Sequence, residues 1–166
     1  MEEKTYDIEA VKYLARISEG GMRDALTLLE KCLAYSKKLT VENIVKALGT
    51  VDYDVFFGLS DAILNKQADD LIKTVENVYA DGKDLKQFIK DYMGFLLDIN
   101  KYDITHSFDY MQLPNTYADK LSSYAQEWFD CCRKLLPIVV GLNAKIKWDT
   151  QPKVAIEAEL LEVTLC

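Results

Sequence analysis

Apolar residues recur every three or four positions along almost the whole chain, the spacing of helices that bury one face. Ile8, Val11, Leu14 or Ala15, and Ser18 mark a first helix, with Asp7 in position to cap it. Gly20-Gly21 ends that helix. Met22, Ala25, Leu26, Leu29, Cys32 and Leu33 form the stripe of the next. Thr40 reads as the N-cap of a third, with Leu39 and Ile44 at the spacing of a hydrophobic staple and Gly49 as the stop. These three short helices predict a small bundle ending near residue 50.

The rhythm restarts after Val51, with Asp52 as a cap. Val55, Phe56, Leu59, Ile63 and Leu64 predict one helix, and Ala68, Leu71, Ile72, Val75 and Val78 another that ends at Asp81-Gly82. A third follows through Leu85, Phe88, Ile89, Tyr92, Phe95, Leu96 and Ile99. Residues 101–115, with scattered aromatics and Pro114, read as a loop. From Tyr117 to about Trp148 the spacing is helical again, and Pro137 predicts either two helices or one bent helix. In the last segment Val154, Ile156, Ala158 and Leu160 alternate like a strand. Pro152 at a first turn, with Ala155, Ala158, Leu161 and Leu165 on one stripe and Ile156, Leu160 and Val163 on a second, favours a largely buried helix. The expected class is all-α, a three-helix bundle over 1–50 and a larger domain of about five to six helices over 51–166.

Composition changes this picture little. Of 166 residues, 49% are hydrophobic and 28% charged, an ordinary balance for a chain with a buried core. No apolar run reaches membrane-span length and no signal-like segment opens the chain, so the expectation is a cytoplasmic protein with no membrane contact. Charge is more informative. Residues 1–50 hold eight basic and eight acidic side chains, so residues 51–166 carry the entire net charge of −7. That segment is a poor candidate for gripping nucleic acid. Cys32, Cys131, Cys132 and Cys166 form no C-x-x-C pair, and His106 is the only histidine, so no metal site is expected and the cysteines read as free thiols. His106 reads as an uninvolved loop residue.

Arg23 is the residue that stands out. It occupies the first turn of an apolar helix, where the macrodipole disfavours a cation and the free N–H groups favour an anion. A guanidinium there makes sense for a large, highly charged anion such as a nucleotide phosphate. The plainer alternative is that Glu19 and Asp24 neutralise it on a solvated surface.

The run from Ala10 to Leu29, with Gly21-x-Arg23-Asp24-Ala25-Leu26 at its centre, resembles the lid of the clamp-loader ATPases of the AAA+ class, of the bacterial DNA polymerase III gamma/tau type. Leu39-Thr40-Val41-Glu42-Asn43, Leu48-Gly49-Thr50-Val51-Asp52 and the stretch Gln151 to Leu161 fall in the family's order, while residues 53–147 match loosely. The resemblance implies a partial lid over 1–50 and a collar domain over 51–166 that holds loader subunits together. It implies that Arg23 is the sensor-2 arginine, reaching the terminal phosphate of ATP held with Mg by an ATPase domain of the parent chain.

That ATPase domain has no counterpart here. Gly82-Lys83 is followed by Asp84, and Asn77 stands where a phosphate loop needs its first glycine. The expectation is a fragment with no catalytic residue and no bound cofactor, taken from an ATPase subunit of a nucleotidyltransferase complex. Its partners would be other clamp-loader subunits through the collar, with the sliding clamp and primer-template DNA reached only through the full assembly. Exposed aromatics Tyr102, Phe108 and Tyr110 are candidate interface residues. Two other functions compete: a helix-turn-helix DNA-binding protein with Met22–Ser36 as recognition helix, and a stand-alone helical adaptor. Arg23 and Lys31 are the only cations on that helix, which is thin for phosphate neutralisation.

Overall fold

The computed structural model describes residues 5–18, 21–49 and 52–165, the last of these as backbone. Glu19 and Gly20 of the expected turn, the junction Thr50-Val51 and Cys166 lie outside the described residues. Among the described residues there are nine α-helices, so the chain is all-α. Two compact units account for it: the described residues up to 49 together with Phe108–Ser122, and Asp52–Ser107 together with the chain from Ser123 onward.

In the first unit, α1 (Ile8–Ile17), α2 (Met22–Tyr35) and α3 (Val41–Leu48) pack on one another. A two-residue parallel ladder joins β1 (Thr5–Tyr6) to β2 (Lys38–Leu39), an element the hydrophobic pattern does not show because it is too short to alternate. The Thr40 cap is present: its hydroxyl accepts from the Asn43 N–H at 3.1 Å, and Leu39 and Ile44 are both buried. Gly49 ends α3 at φ 67°, a left-handed position that suits glycine. Asp7 caps α1 by position, without a side-chain hydrogen bond.

The buried faces of α1 and α2 differ from expectation. Ala10, Tyr13 and Leu14 are buried on α1, whereas Ile8 is 68% exposed and Val11 is also exposed. On α2, Cys32 is buried and Ala25, Leu28 and Leu29 partly so, while Met22 is 76% exposed and Leu26 is exposed. Each helix carries enough apolar residues for two overlapping stripes, and packing selects one. The segment 108–122 contributes a 3₁₀ turn (Asn115–Tyr117) and α7 (Ala118–Ser122), with Met111, Leu113 and Leu121 buried.

The second unit is built on α4 (Tyr53–Leu64), α5 (Ala68–Ala80), α6 (Leu85–Thr105), α8 (Gln126–Ile146) and α9 (Pro152–Leu165). Asp52 caps α4 and Asp84 caps α6, each accepting from backbone N–H groups two residues on. The expected apolar positions of α6 are all buried. The helix, however, runs on to Thr105 rather than yielding to a loop at 101. Asn100 Nδ2 donates to the Leu96 carbonyl, Thr105 Oγ1 donates to the Lys101 carbonyl, and Tyr102 stacks against Phe129 of α8. His106 then terminates it in the left-handed region at φ 50°.

Pro137 lies inside α8 without ending it. A proline there forfeits one hydrogen bond and costs about 3 kcal/mol. Pro137 is exposed, while Leu135, Val139, Leu142 and Ile146 are buried on the opposite side. The terminal segment is helical from Pro152, and only Val154, Ala158 and Glu162 form its exposed line.

An aromatic core ties α4, α6 and α8 together. Phe56 lies against Phe88, Tyr92 and Phe95, and Phe57 stacks on Trp128 at 5.7 Å between centroids. Trp128 Nε1 donates to Asp61 Oδ1 at 2.7 Å, and the Tyr124 hydroxyl donates to Asp61 Oδ2 at 3.1 Å. Ser60 and Tyr92 share a hydrogen bond at 3.0 Å beneath them. Burial pushes the Tyr92 phenol up, and burial together with the Asp61 charge does the same to Tyr124, so both stay neutral at ordinary pH.

Removing the Asp61 carboxylate strands two donors. Asp61→Ala is expected to cost about 1–3 kcal/mol in urea unfolding, with an unchanged circular dichroism spectrum at zero urea. A second expectation concerns Asp91, whose carboxyl burial holds above its usual range despite a Gln87 hydrogen bond. A raised folded-state pKa means that ionisation opposes folding, so stability gains as pH falls through that value. Asp91→Asn should raise stability at neutral pH and flatten its dependence on pH in the mildly acidic range.

Candidate nucleotide-sensing site

The site is assembled by one helix ending and another beginning. Ser18 closes α1, 5% exposed, with its hydroxyl donating to the Ala15 carbonyl at 2.8 Å. The Gly21 N–H donates to the Ser18 carbonyl at 2.9 Å, and Gly21 is the N-cap of α2. Its φ of −77° and ψ of 111° are open to any residue, so its backbone freedom is not what the turn uses. Space is. A Cβ on Gly21 would lie 2.8 Å from Asp24 Oδ2 and 3.4 Å from the Ser18 carbonyl. The Asp24 carboxylate thus folds back over the helix N-terminus, where the macrodipole favours it.

Arg23 lies one residue earlier, in the first turn, and is exposed. Among the described residues its guanidinium makes no hydrogen bond or ion pair; its carbonyl accepts from Thr27 Oγ1. Asp24 does not neutralise it, and Glu19 lies outside the described residues. Arg23 is flanked on the outer surface by the exposed Met22 and Leu26.

An open pocket of about 290 Å³ lies nearby, lined by Ile17, Ser18, Asp24, Thr27 and Leu28. Arg23 is not among its walls, and the carboxylate that is would repel an anion. Its lining does not suit a phosphate.

Other groups are placed as follows. Cys32 and Cys132 are buried and Cys131 half-buried, all as free thiols, and burial raises all three so that they stay protonated and poorly nucleophilic. His106 is an exposed helix cap, edge-on to Tyr102. Among the described residues no three His, Cys, Asp or Glu side chains cluster as metal ligands, and no helix is long and apolar enough to cross a membrane. Of the three candidate interface aromatics only Tyr110 is exposed; Tyr102 is held half-buried on Phe129, and Phe108 is half-buried. Residues that the pattern assigned to the core, Ile8, Val11, Met22 and Leu26, are instead part of the outer surface.

A family model for domain III of the DNA polymerase III gamma and tau subunits matches residues 39–129, more than half of the chain. The chain belongs to that gamma/tau family. A model for the ATPase lid domain of the DNA polymerase III clamp loader subunit matches residues 1–38. The two matches meet at β2, whereas the first compact unit continues through α3. Among individual relatives, DNA polymerase III subunit tau of Bacillus subtilis is 22% identical over 93% of this chain and 28% of its own length. Subunit gamma of Buchnera aphidicola is 36% identical over 41% of this chain and 19% of its own length. Escherichia coli subunit tau is 25% identical over 55% of this chain and 14% of its own. The chain therefore spans less than a third of each relative. Membership in this family accounts for the lid motif and the helical domain together, which neither a helix-turn-helix protein nor an unrelated adaptor does.

The steric role of Gly21 is open to a direct check. Gly21→Ala is expected to destabilise by about 0.5–1 kcal/mol more in the parent sequence than in an Asp24→Ala background, measured as a double-mutant cycle in urea. Equal costs in the two backgrounds would show that the carboxylate does not occupy that space.

Proposed function

We propose that this chain is the lid and collar portion of a clamp-loader subunit of the bacterial DNA polymerase III holoenzyme. It supports ATP-dependent loading of the sliding clamp onto DNA during replication, through subunit assembly by residues 51–166 and nucleotide sensing by Arg23. It has no catalysis of its own. Other loader subunits are its direct partners, clamp and primer-template DNA are met only within the full assembly, and the site of action is the cytoplasm.

The observation that carries the sensing role is the exposed guanidinium of Arg23 at the start of α2, without an ion pair among the described residues, in a stretch that matches a clamp-loader lid. Burying an exposed charge costs little when the partner is a phosphate that accepts paired hydrogen bonds. Met22 and Leu26 beside it offer an apolar rim for a docked neighbour. Nothing in the chain supplies a phosphate-binding loop, so Arg23 alone would hold a nucleotide weakly. In the parent protein the ATPase domain would hold ATP and Mg. Arg23 would then contact the terminal phosphate and draw the lid toward that domain, and loss of that phosphate would remove the contact.

Restored to a subunit carrying its ATPase domain, Arg23→Ala is expected to slow ATP-dependent clamp loading about 10- to 150-fold, the equivalent of about 1.5–3 kcal/mol for a charge-assisted contact. Thermal unfolding should be little changed, because the side chain is exposed and makes no hydrogen bond or ion pair among the described residues. Undiminished loading would remove the sensor role. The chain by itself should hydrolyse no ATP.

A further inference from the structure

Residues 108–122 lie between α6 and α8 in sequence, inside the stretch matched by the domain III model, yet they belong to the first unit. The chain therefore passes between the units three times: between 49 and 52, at 107–108 and at 122–123. The segment is not an appendage. Among the described residues, six buried apolar side chains of the first unit come from the chain before residue 50, and Met111, Leu113 and Leu121 add three more. The three-residue 3₁₀ turn and the five-residue α7 are too short to persist as helices by themselves. Their place in the unit rests on those buried side chains.

Both ends of the segment are tied down in the second unit. His106, at φ 50°, turns the chain out of α6, and the Ser107 N–H donates to Thr105 Oγ1 at 3.3 Å. At the return, Gln126, the first residue of α8, donates through Nε2 to Asp103 Oδ1 at 3.2 Å. Asp103 also pairs with Arg133, and Tyr102 stacks on Phe129. The end of α6 and the start of α8 are thus fastened to each other.

A module joined by one linker rotates on a few residues that absorb the change in φ and ψ. A module joined by three crossings, two of them from fastened points, does not. If the first unit turns about residues 49–52, one of two things follows. Either Met111, Leu113 and Leu121 leave its core, or the ends of α6 and α8 are displaced with it. Returning three buried apolar side chains to water disfavours the first course. We propose that residues 108–122 are a strap that completes the lid and carries its displacement to the ends of α6 and α8. The sensing reading above supplies the cause of that displacement; membership of the segment in the lid stands apart from it.

Amide hydrogen exchange on the 166-residue chain tests the first half. Leu113→Ala should speed exchange of the α1, α2 and α3 amides at least about tenfold and leave α5 and α9 unchanged. Equal acceleration in α5 and α9, or none in α1 to α3, overturns the assignment of the segment to the lid. The second half is read in a subunit carrying its ATPase domain, with a protease site inserted between the exposed Ser122 and Ser123. ATP should slow exchange around Arg23 and alter it at the start of α8, and cleavage should abolish only the change at α8. A response at α8 that survives cleavage, or that is absent before it while Arg23 responds, overturns the strap. No response to ATP around Arg23, with Leu113→Ala acting as expected, overturns the sensing reading and the transmission built on it, and leaves residues 108–122 as part of the lid.

Discussion

Asp61 is the point on which the second unit turns, because both of its carboxylate oxygens are occupied by donors from the far end of the chain. Trp128 and Tyr124 approach it from the α8 side, and their rings stack on each other and on Phe57 of the same helix that carries Asp61. Apolar packing alone would let α8 slide or rotate against α4 at little cost, since Leu, Val and Phe contacts are not directional. Two hydrogen bonds to one carboxylate remove that freedom. They fix which side of α8 faces inward, and so which side, with Pro137, Gly141 and Ala144, faces out.

The second unit was legible in the sequence because most of its helices have one crowded apolar stripe. On α6 seven expected positions, from Leu85 to Ile99, are buried. The cap at Asp52 and the stop at Asp81-Gly82 announce themselves by residue type, whereas the Asp84 cap emerges only in the structure. What the pattern hid has a physical cause in each case. The last turn of α6 leaves its one aliphatic residue, Ile104, exposed and is held by side-chain bonds to carbonyls and by Tyr102 on Phe129, none of which shows as periodicity. Pro137 forecasts a break, but it lies on the exposed side of α8, away from the buried stripe that holds the helix in place. The β1–β2 ladder is two residues long on each side, below the length at which alternation can be read.

The first unit was less legible for the opposite reason: its helices have more apolar residues than its small core can take. Ala10, Tyr13, Leu14, Cys32, Leu39 and Ile44 are buried, with Met111, Leu113 and Leu121 from the later segment. Ile8, Val11, Met22 and Leu26 are left outside. No period analysis can decide which of two overlapping stripes faces in when both are hydrophobic. The position of Arg23 was legible, because a cation in a helix's first turn is conspicuous in the sequence itself. That Asp24 does not pair with it was not, since Asp24 is adjacent in sequence but is drawn back over Gly21 in space.

These two features of the first unit bear on each other. A unit with few buried residues and a large apolar surface left in water has little stability to spare, and such elements open and shift at lower cost than crowded cores. A contact that exists only with one form of a nucleotide can displace an equilibrium by no more than its own differential free energy, about 1.5–3 kcal/mol for a charge-assisted pair. That amount is too small to rearrange the aromatic core of the second unit. It is enough to bias a small three-helix unit whose apolar rim, beside Arg23, gains by being covered. A core this small would suit the sensing role proposed for Arg23.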